Sequence, residues 1–242
     1  MSGVQETWKV EEHEPLVSLG EGLLSVKGVI KMPLGKFPRR MTVAALEGGR
    51  GTVIYSAIAL QEAEMRHIEA LGEPTFLVVP NAHHRKDAKI WKQRYPAMRV
   101  VAPSTGRKDI EEVVAIDSVD GEGVKDSSIT IVPVGGTENS ELAMLVSRAD
   151  GTTLVVNDII AHVAHPDGVG AQVMARLMGF GIHHPQVPSV VKHFLVKDKA
   201  AVAAQFRRWA TLPDLRRIVP SHGDIIEQPK PALELLAESL EH

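Results

Sequence analysis

The sequence predicts an α/β (α+β) fold of short buried strands alternating with amphipathic helices, and two stretches carry that prediction. Phe76-Leu77-Val78-Val79 is a continuous apolar run of strand length, as in a strand buried on both faces. Pro80, which has no N–H for a ladder, closes it. A helical stripe at Leu60, Ala63, Ile68 and Leu71, stopped by Gly72, precedes the run, and a further helix (Asp87 to Tyr95) and strand (Met98 to Ala102) follow it. Alternation of this kind layers helices on a sheet and argues against an all-β barrel.

The flanking elements extend the pattern. Leu23 to Met32, Met41 to Leu46 and Thr52 to Tyr55 read as strands, the last two separated by the turn signal Gly48 to Gly51. Ser56 can cap the helix that begins near Leu60. Glu111 to Ser118 and Ser127 to Val134 are expected strands, the second closed by Gly135-Gly136. Glu141 to Ser147 and Thr152 to Asn157 flank the hairpin signal Ala149-Asp150-Gly151. Helices are expected at Val169 to Met178, Lys199 to Ala210 and Pro231 to Ser239, with Arg217 to Pro220 as a short strand delivering Ser221-His222-Gly223-Asp224. No repeat or interdomain linker interrupts residues 1–242, so a single domain is expected. Residues 1–15 form a peripheral segment, and residues 240–242 resemble a purification-tag junction.

Composition narrows the function. With 27 Lys and Arg against 30 Asp and Glu, the formal charge of −3 gives no basic excess for nucleic acid. The lack of cysteine excludes disulfides, thiolate metal sites and cysteine nucleophiles, and fits a cytoplasmic setting. The polar, acidic N-terminus is not a signal peptide, and no apolar run reaches membrane-spanning length. The expected partner is a small-molecule substrate, with no nucleic acid and no membrane.

Three strand ends concentrate the chemistry: Asn81-Ala82-His83-His84-Arg85-Lys86-Asp87, Val156-Asn157-Asp158, and Val219-Pro220-Ser221-His222-Gly223-Asp224. In open α/β sheets the crevice beyond strand carboxyl ends is where ligands sit. In this order they resemble the metallo-β-lactamase-like hydrolases, whose strand end reads His-x-His-x-Asp-His. In that family a later Gly-His turn adds a ligand, an Asp after an apolar strand bridges two metals, and a final strand-end His completes the set. The resemblance spans roughly Leu23 to Glu227, and a branch of the family also shares the Ile58-Ala59-Leu60 helix start and the Asn81 to His84 strand end. It implies a four-layer αββα sandwich and a divalent metal, zinc first, with iron or manganese as alternatives. It also implies metal-activated water acting on a small ester, amide or phosphoester.

The match is incomplete. Asn81 stands at the first histidine of the motif when His83 is placed at the second, Arg85 and Lys86 at its last two ligands, and Gly136 at the Gly-His imidazole. The metal ligands implied are His83, His84, Asp87, Asp158 and His222. Asp158 and Asp87 are the catalytic carboxylates, and Asn81, Arg85 and Lys86 the substrate-binding groups. Adjacent His83 and His84 diverge if they continue a strand, so one of them is expected in the site. His162, His165, His183 and His184 are further candidates to complete it. The alternative is a degenerate member that binds a small anion or a protein partner without metal, with Arg85 and Lys86 filling the vacated volume.

Overall fold

A computed structural model describes residues 3–32, 35–164, 176 and 179–241. Strands β1 (Val17–Gly20), β2 (Leu23–Met32), β3 (Gly35–Ala45) and β4 (Thr52–Tyr55) pair antiparallel, each with the next. After helix α1 (Glu62–Leu71), strand β5 (Pro74–Val78) joins β4 in parallel. Helix α2 (Ala88–Arg94), β6 (Arg99–Ala102), α3 (Arg107–Glu111) and β7 (Ser118–Val119) complete a seven-stranded mixed sheet. Strands β8 (Ile129–Pro133), β9 (Leu142–Arg148) and β10 (Gly151–His162) form an antiparallel meander. Beyond α4 (Ser189–Phe194) and α5 (Lys199–Ala210), β11 (Leu215–Gly223) returns parallel to β10, and α6 (Pro229–Glu241) follows. The second sheet runs β11-β10-β9-β8.

The side-chain period of two sorts these strands into layers. Phe76 and Val78 of β5 pack with Val53, Tyr55, Met144, Val155 and Val219 between the two sheets. Leu77 and Val79 pack on the opposite face with Ile68, Trp91 and Ile110 under α1 to α3. Ile218 and Leu154 face Phe206, Leu233 and Leu236 of α5 and α6. The result is a four-layer αββα sandwich, and the apolar run at Phe76 is buried on both faces because helices cover one and a second sheet the other.

Local chemistry explains most boundaries. Helix α1 opens on a Gln61/Glu64 capping box, two residues later than Leu60 suggests, and stops at Gly72. Ser56 caps nothing: it sits at φ 56 at the end of β4. Residues 111–118 are mostly not a strand; Arg107–Glu111 is helical and only Ser118–Val119 pairs with β6. Val113, Val114 and Ile116 there pack against the helix-side core, a burial that does not require a ladder. The helix expected at Val169 to Met178 lies almost wholly outside the described residues. No described helix is long and apolar enough to cross a membrane.

The N-terminal segment, described from residue 3, runs along the surface but is tied down at several points. The Gln5 amide donates to the Lys86 carbonyl (2.9 Å), Trp8 Nε1 donates to the Leu60 carbonyl (3.0 Å), and the Trp8 ring lies 5.5 Å from that of Trp91.

Candidate metal centre

The carboxyl ends of β4, β5 and β11 and an irregular point of β10 meet at one edge of the sandwich. Register between β10 and β11 is continuous from Thr153↔Arg217 to Val156↔Pro220 and resumes at Ala161↔His222, so Asp158 sits within a bulge. Bulges commonly re-aim a side chain beside a site. The loop after β5 turns on Asn81, whose Oδ1 accepts from the His83 amide (2.9 Å) and the His84 amide (3.2 Å). An Asx turn of this kind breaks strand alternation. It leaves His83 exposed and His84 aimed inward.

Three donor atoms converge. His84 Nε2 lies 3.2 Å from Asp158 Oδ1 and 3.1 Å from His222 Nε2, and His222 Nε2 lies 2.9 Å from the same Asp158 oxygen. The far side of each ring is also engaged: His222 Nδ1 is 2.7 Å from the Pro38 carbonyl, and His84 Nδ1 is 3.0 Å from Ser56 Oγ. A carbonyl only accepts, so His222 carries its proton on Nδ1. In the neutral ring Nε2 is then a bare lone pair facing a carboxylate oxygen. Two acceptors at 2.9 Å repel unless a cation or an extra proton lies between them.

The donor set fits an ion. Two imidazole nitrogens and a carboxylate oxygen are zinc ligand types, and tetrahedral coordination at ~2.0–2.1 Å spaces donors about 3.3 Å apart. The three separations of 2.9–3.2 Å are slightly tighter than that.

The second layer supports the carboxylate. Asn81 Nδ2 donates to Asp158 Oδ2 at 2.7 Å, and Glu141 Oε1 accepts from the Ile159 amide at 2.9 Å. Burial favours a neutral Asp158, but positive charge on the His84 and His222 side of the carboxylate outweighs it and holds the carboxyl well below its usual range, so Asp158 calls for a proton or a cation between itself and the two rings. Burial pushes the His84 imidazole down, against the pull of Asp158, so the ring resists carrying a charge of its own. Burial, reinforced by the Asp158 charge, pushes fully buried Glu141 well above the usual carboxylate range. The two neighbouring acids are thus pushed in opposite directions, Asp158 towards its charged form and Glu141 towards its neutral one.

Of the residues singled out from sequence, His84, Asp158 and His222 come together. His83 does not; its side chain is exposed while its amide serves the Asn81 turn. Asp87 does not either: its carboxylate is buried against Arg39 Nη1 and accepts from Gln5 Nε2 at 2.6 Å. Asn81 spends its polar atoms inside the protein rather than facing a substrate. Arg85 pairs with Glu112 (3.2 Å) and Lys86 with Glu11 (2.5 Å). His183 is exposed and His184 bonds Gln186 at 3.1 Å, while His165 lies outside the described residues; His162, the last residue of β10, is absent from the three-donor group. A side chain at Gly136 has no room: a Cβ there would lie 2.4 Å from the Asp198 carbonyl at the start of α5.

Ser56, Pro38 and Glu141 were not legible as site residues. Only Glu141 left a signal, an acid opening an apolar strand.

No protein-family model matches the chain, and no curated protein matches it by sequence. Solved structures do. The metallo-β-lactamase FIM-1 from Pseudomonas aeruginosa, in a mono-zinc form, superposes with a TM-score of 0.64 at 13% identity, covering 96% of this chain and 97% of that one. A metallo-β-lactamase from Hirschia baltica gives 0.61 at 14% identity (94% and 98%), and one from Pontibacter korlensis 0.63 at 12% (96% and 100%). The fold is that of the metallo-β-lactamases. The metallo-β-lactamase sandwich therefore accommodates this chain over nearly its whole length, at identities that speak to fold alone.

Proposed function

We propose that this chain is a metal-dependent hydrolase whose single divalent ion, zinc in first place, is held by His84, Asp158 and His222. The observation that supports this reading is the tautomer of His222. With Nδ1–H committed to the Pro38 carbonyl, the opposite nitrogen presents a lone pair to the Asp158 carboxylate, and His84 Nε2 converges on the same point. When bound, such an ion supplies Lewis acidity that brings the pKa of water toward 7. The chain's own residues set the stage for it. Asn81 occupies the second oxygen of Asp158 and fixes the carboxylate plane. Ser56 and Pro38 hold the outer nitrogens of the two rings, the arrangement that typically orients metal-ligating histidines. Small esters, amides and phosphoesters are the substrate class in view, in a cytoplasmic setting.

The closed position at Gly136 and the removal of Asp87 and His83 from the cluster favour one ion over two. The metal-free anion binder expects Arg85 and Lys86 to line the pocket, and their pairing with Glu112 and Glu11 weighs against it.

Protein purified without chelator or nickel resin should carry close to one equivalent of metal, or take it up on addition of zinc, iron or manganese. Content well below one equivalent after all three additions rejects the reading. Asp158→Asn keeps the volume and removes the charge. It should weaken zinc binding by more than the ~100-fold typical of outer-shell changes, and identical affinity in the two proteins would take Asp158 out of the ligand set.

A further inference from the structure

His84 and His222 belong to different sheets, which raises the question of what fixes one imidazole against the other. His84 follows β5 of the seven-stranded sheet and His222 lies on β11 of the four-stranded one, and among the described residues the two sheets share no ladder. We propose that three consecutive residues of β3, Pro38, Arg39 and Arg40, form a positioning clamp that grips both histidine-bearing segments, with Asp87 and Gln5 completing the grip. The proposal deepens the metal-site reading and rests on it only for the affinity measurement below.

β3 is suited to this because it pairs with β2 from Gly35 to Ala45 but with β4 only from Thr42 to Ala45. Its outer edge at residues 38–40 is therefore free of its own sheet. Pro38, lacking an N–H, loses nothing at such an edge, and its carbonyl accepts from His222 Nδ1 at 2.7 Å. Arg40, buried, donates from Nη2 to the Gly223 carbonyl at 2.7 Å and from Nη1 to Ser25 Oγ at 3.0 Å, a second tie to the residue beside His222.

Arg39 points to the other face, as strand alternation demands. Its Nη1 donates to Asp87 Oδ2, and Gln5 Nε2 donates to Asp87 Oδ1 at 2.6 Å, so both carboxylate oxygens are held. The Gln5 amide also donates to the Lys86 carbonyl at 2.9 Å, and Glu11 lies 3.5 Å from Arg39 Nη2. Asp87 is three residues from His84, at the end of the loop that Asn81 begins. One strand thus holds the His222 ring directly and the His84 loop through an ion pair.

The chemistry of that ion pair favours a positional role. The side chains of Arg39 and Asp87 are 6% and 0% exposed. A buried ion pair often gives no more stability than an apolar pair of the same size, because desolvation offsets the attraction. Arg39 Nε has no hydrogen-bond partner, a further cost. What a forked guanidinium adds over a methylene chain is orientation.

The experiment compares the parent with the double variant Arg39→Met/Asp87→Leu, which removes both charges at similar volume, and with Arg39→Lys, which keeps the charge and loses the fork. Three quantities are measured in each: thermal midpoint, hydrogen exchange by NMR in the absence of metal, and affinity for zinc alone by competition with a chromophoric chelator. The double variant should melt close to the parent. In both variants the His84 amide and the His222 Nδ1–H should exchange at least ten-fold faster than in the parent, with core strands unchanged, and zinc affinity should fall about 10- to 100-fold. A purely structural pair would instead lower the midpoint and leave exchange at those two protons in step with the rest. A folded double variant with parental exchange at both protons overturns the proposal. If that variant does not fold, Arg39→Lys decides by the same exchange criterion. A parent that binds no zinc removes the metal reading and leaves the exchange result to judge the clamp by itself.

Discussion

Two clusters of ionisable groups leave the same short loop, and they differ in whether their hydrogen bonds close. At Asp87 every carboxylate oxygen meets a donor: Gln5 on one, Arg39 on the other, with Lys86 and Glu11 paired alongside. Three residues earlier, His84 meets Asp158 and His222 with the proton of His222 committed elsewhere, so lone pairs face one another. Both clusters are largely buried. Burial alone therefore does not mark a functional site; in this molecule the mark is a set of acceptors that the protein's own donors leave unbalanced. The saturated cluster builds, and the unbalanced one is the proposed cation site.

The largest expected effect strikes the saturated cluster. Arg39→Met alone leaves the Asp87 carboxylate buried without its counter-charge, and removal of one partner from a buried pair costs about 3–5 kcal/mol. Urea unfolding should show that loss. A loss under ~1 kcal/mol would mean that Gln5 and water suffice for Asp87 and that the two clusters are less different than their geometry indicates.

A smaller, pH-dependent effect probes the acid beneath the unbalanced cluster. Glu141 is raised by burial and by Asp158, so the folded chain keeps a proton that the unfolded chain releases above the ordinary value near 4.5. Stability from this group falls as pH rises from there toward the raised value. Glu141→Gln cannot release that proton. Its stability relative to the parent should climb with pH across that window, by about 1–2 kcal/mol in all, the scale of one buried polar group. A variant that instead loses ground as pH rises would show Glu141 to be ionised, with two like charges beside His84.

The smallest effect is expected at the rim. Arg85 meets Glu112 where the latter's side chain is 62% exposed, and such pairs contribute about 0.2–1 kcal/mol. Arg85→Ala should leave thermal stability within that range and zinc affinity unchanged. A clear loss of zinc affinity would bring Arg85 back into the site and blur the contrast between the loop's two ends.

Local sequence determined the strands, and the physical reason is burial. Phe76 to Val79 is apolar without alternation because a sheet covers one face and helices the other, and Ala149-Asp150-Gly151 turns the β9–β10 hairpin whatever lies around it. The segments bearing His84, Asp158 and His222 were legible because each polar group follows a buried apolar run, although β10 and β11 continue past Asp158 and His222 instead of ending before them. Residues 111–118 were misread because a short apolar run satisfies a helix-side core as well as a ladder. Which polar groups meet was decided by tertiary structure alone. Whether His83 or His84 turns inward depends on the Asn81 side chain folding back on two amides. The fate of Asp87 depends on Gln5, which is 82 residues away in sequence, and on Arg39, 48 away. The proton of His222 depends on Pro38, 184 residues distant. Residue type declares that an imidazole or carboxylate can bind; only the partners brought to it by folding decide whether its lone pair is already spent.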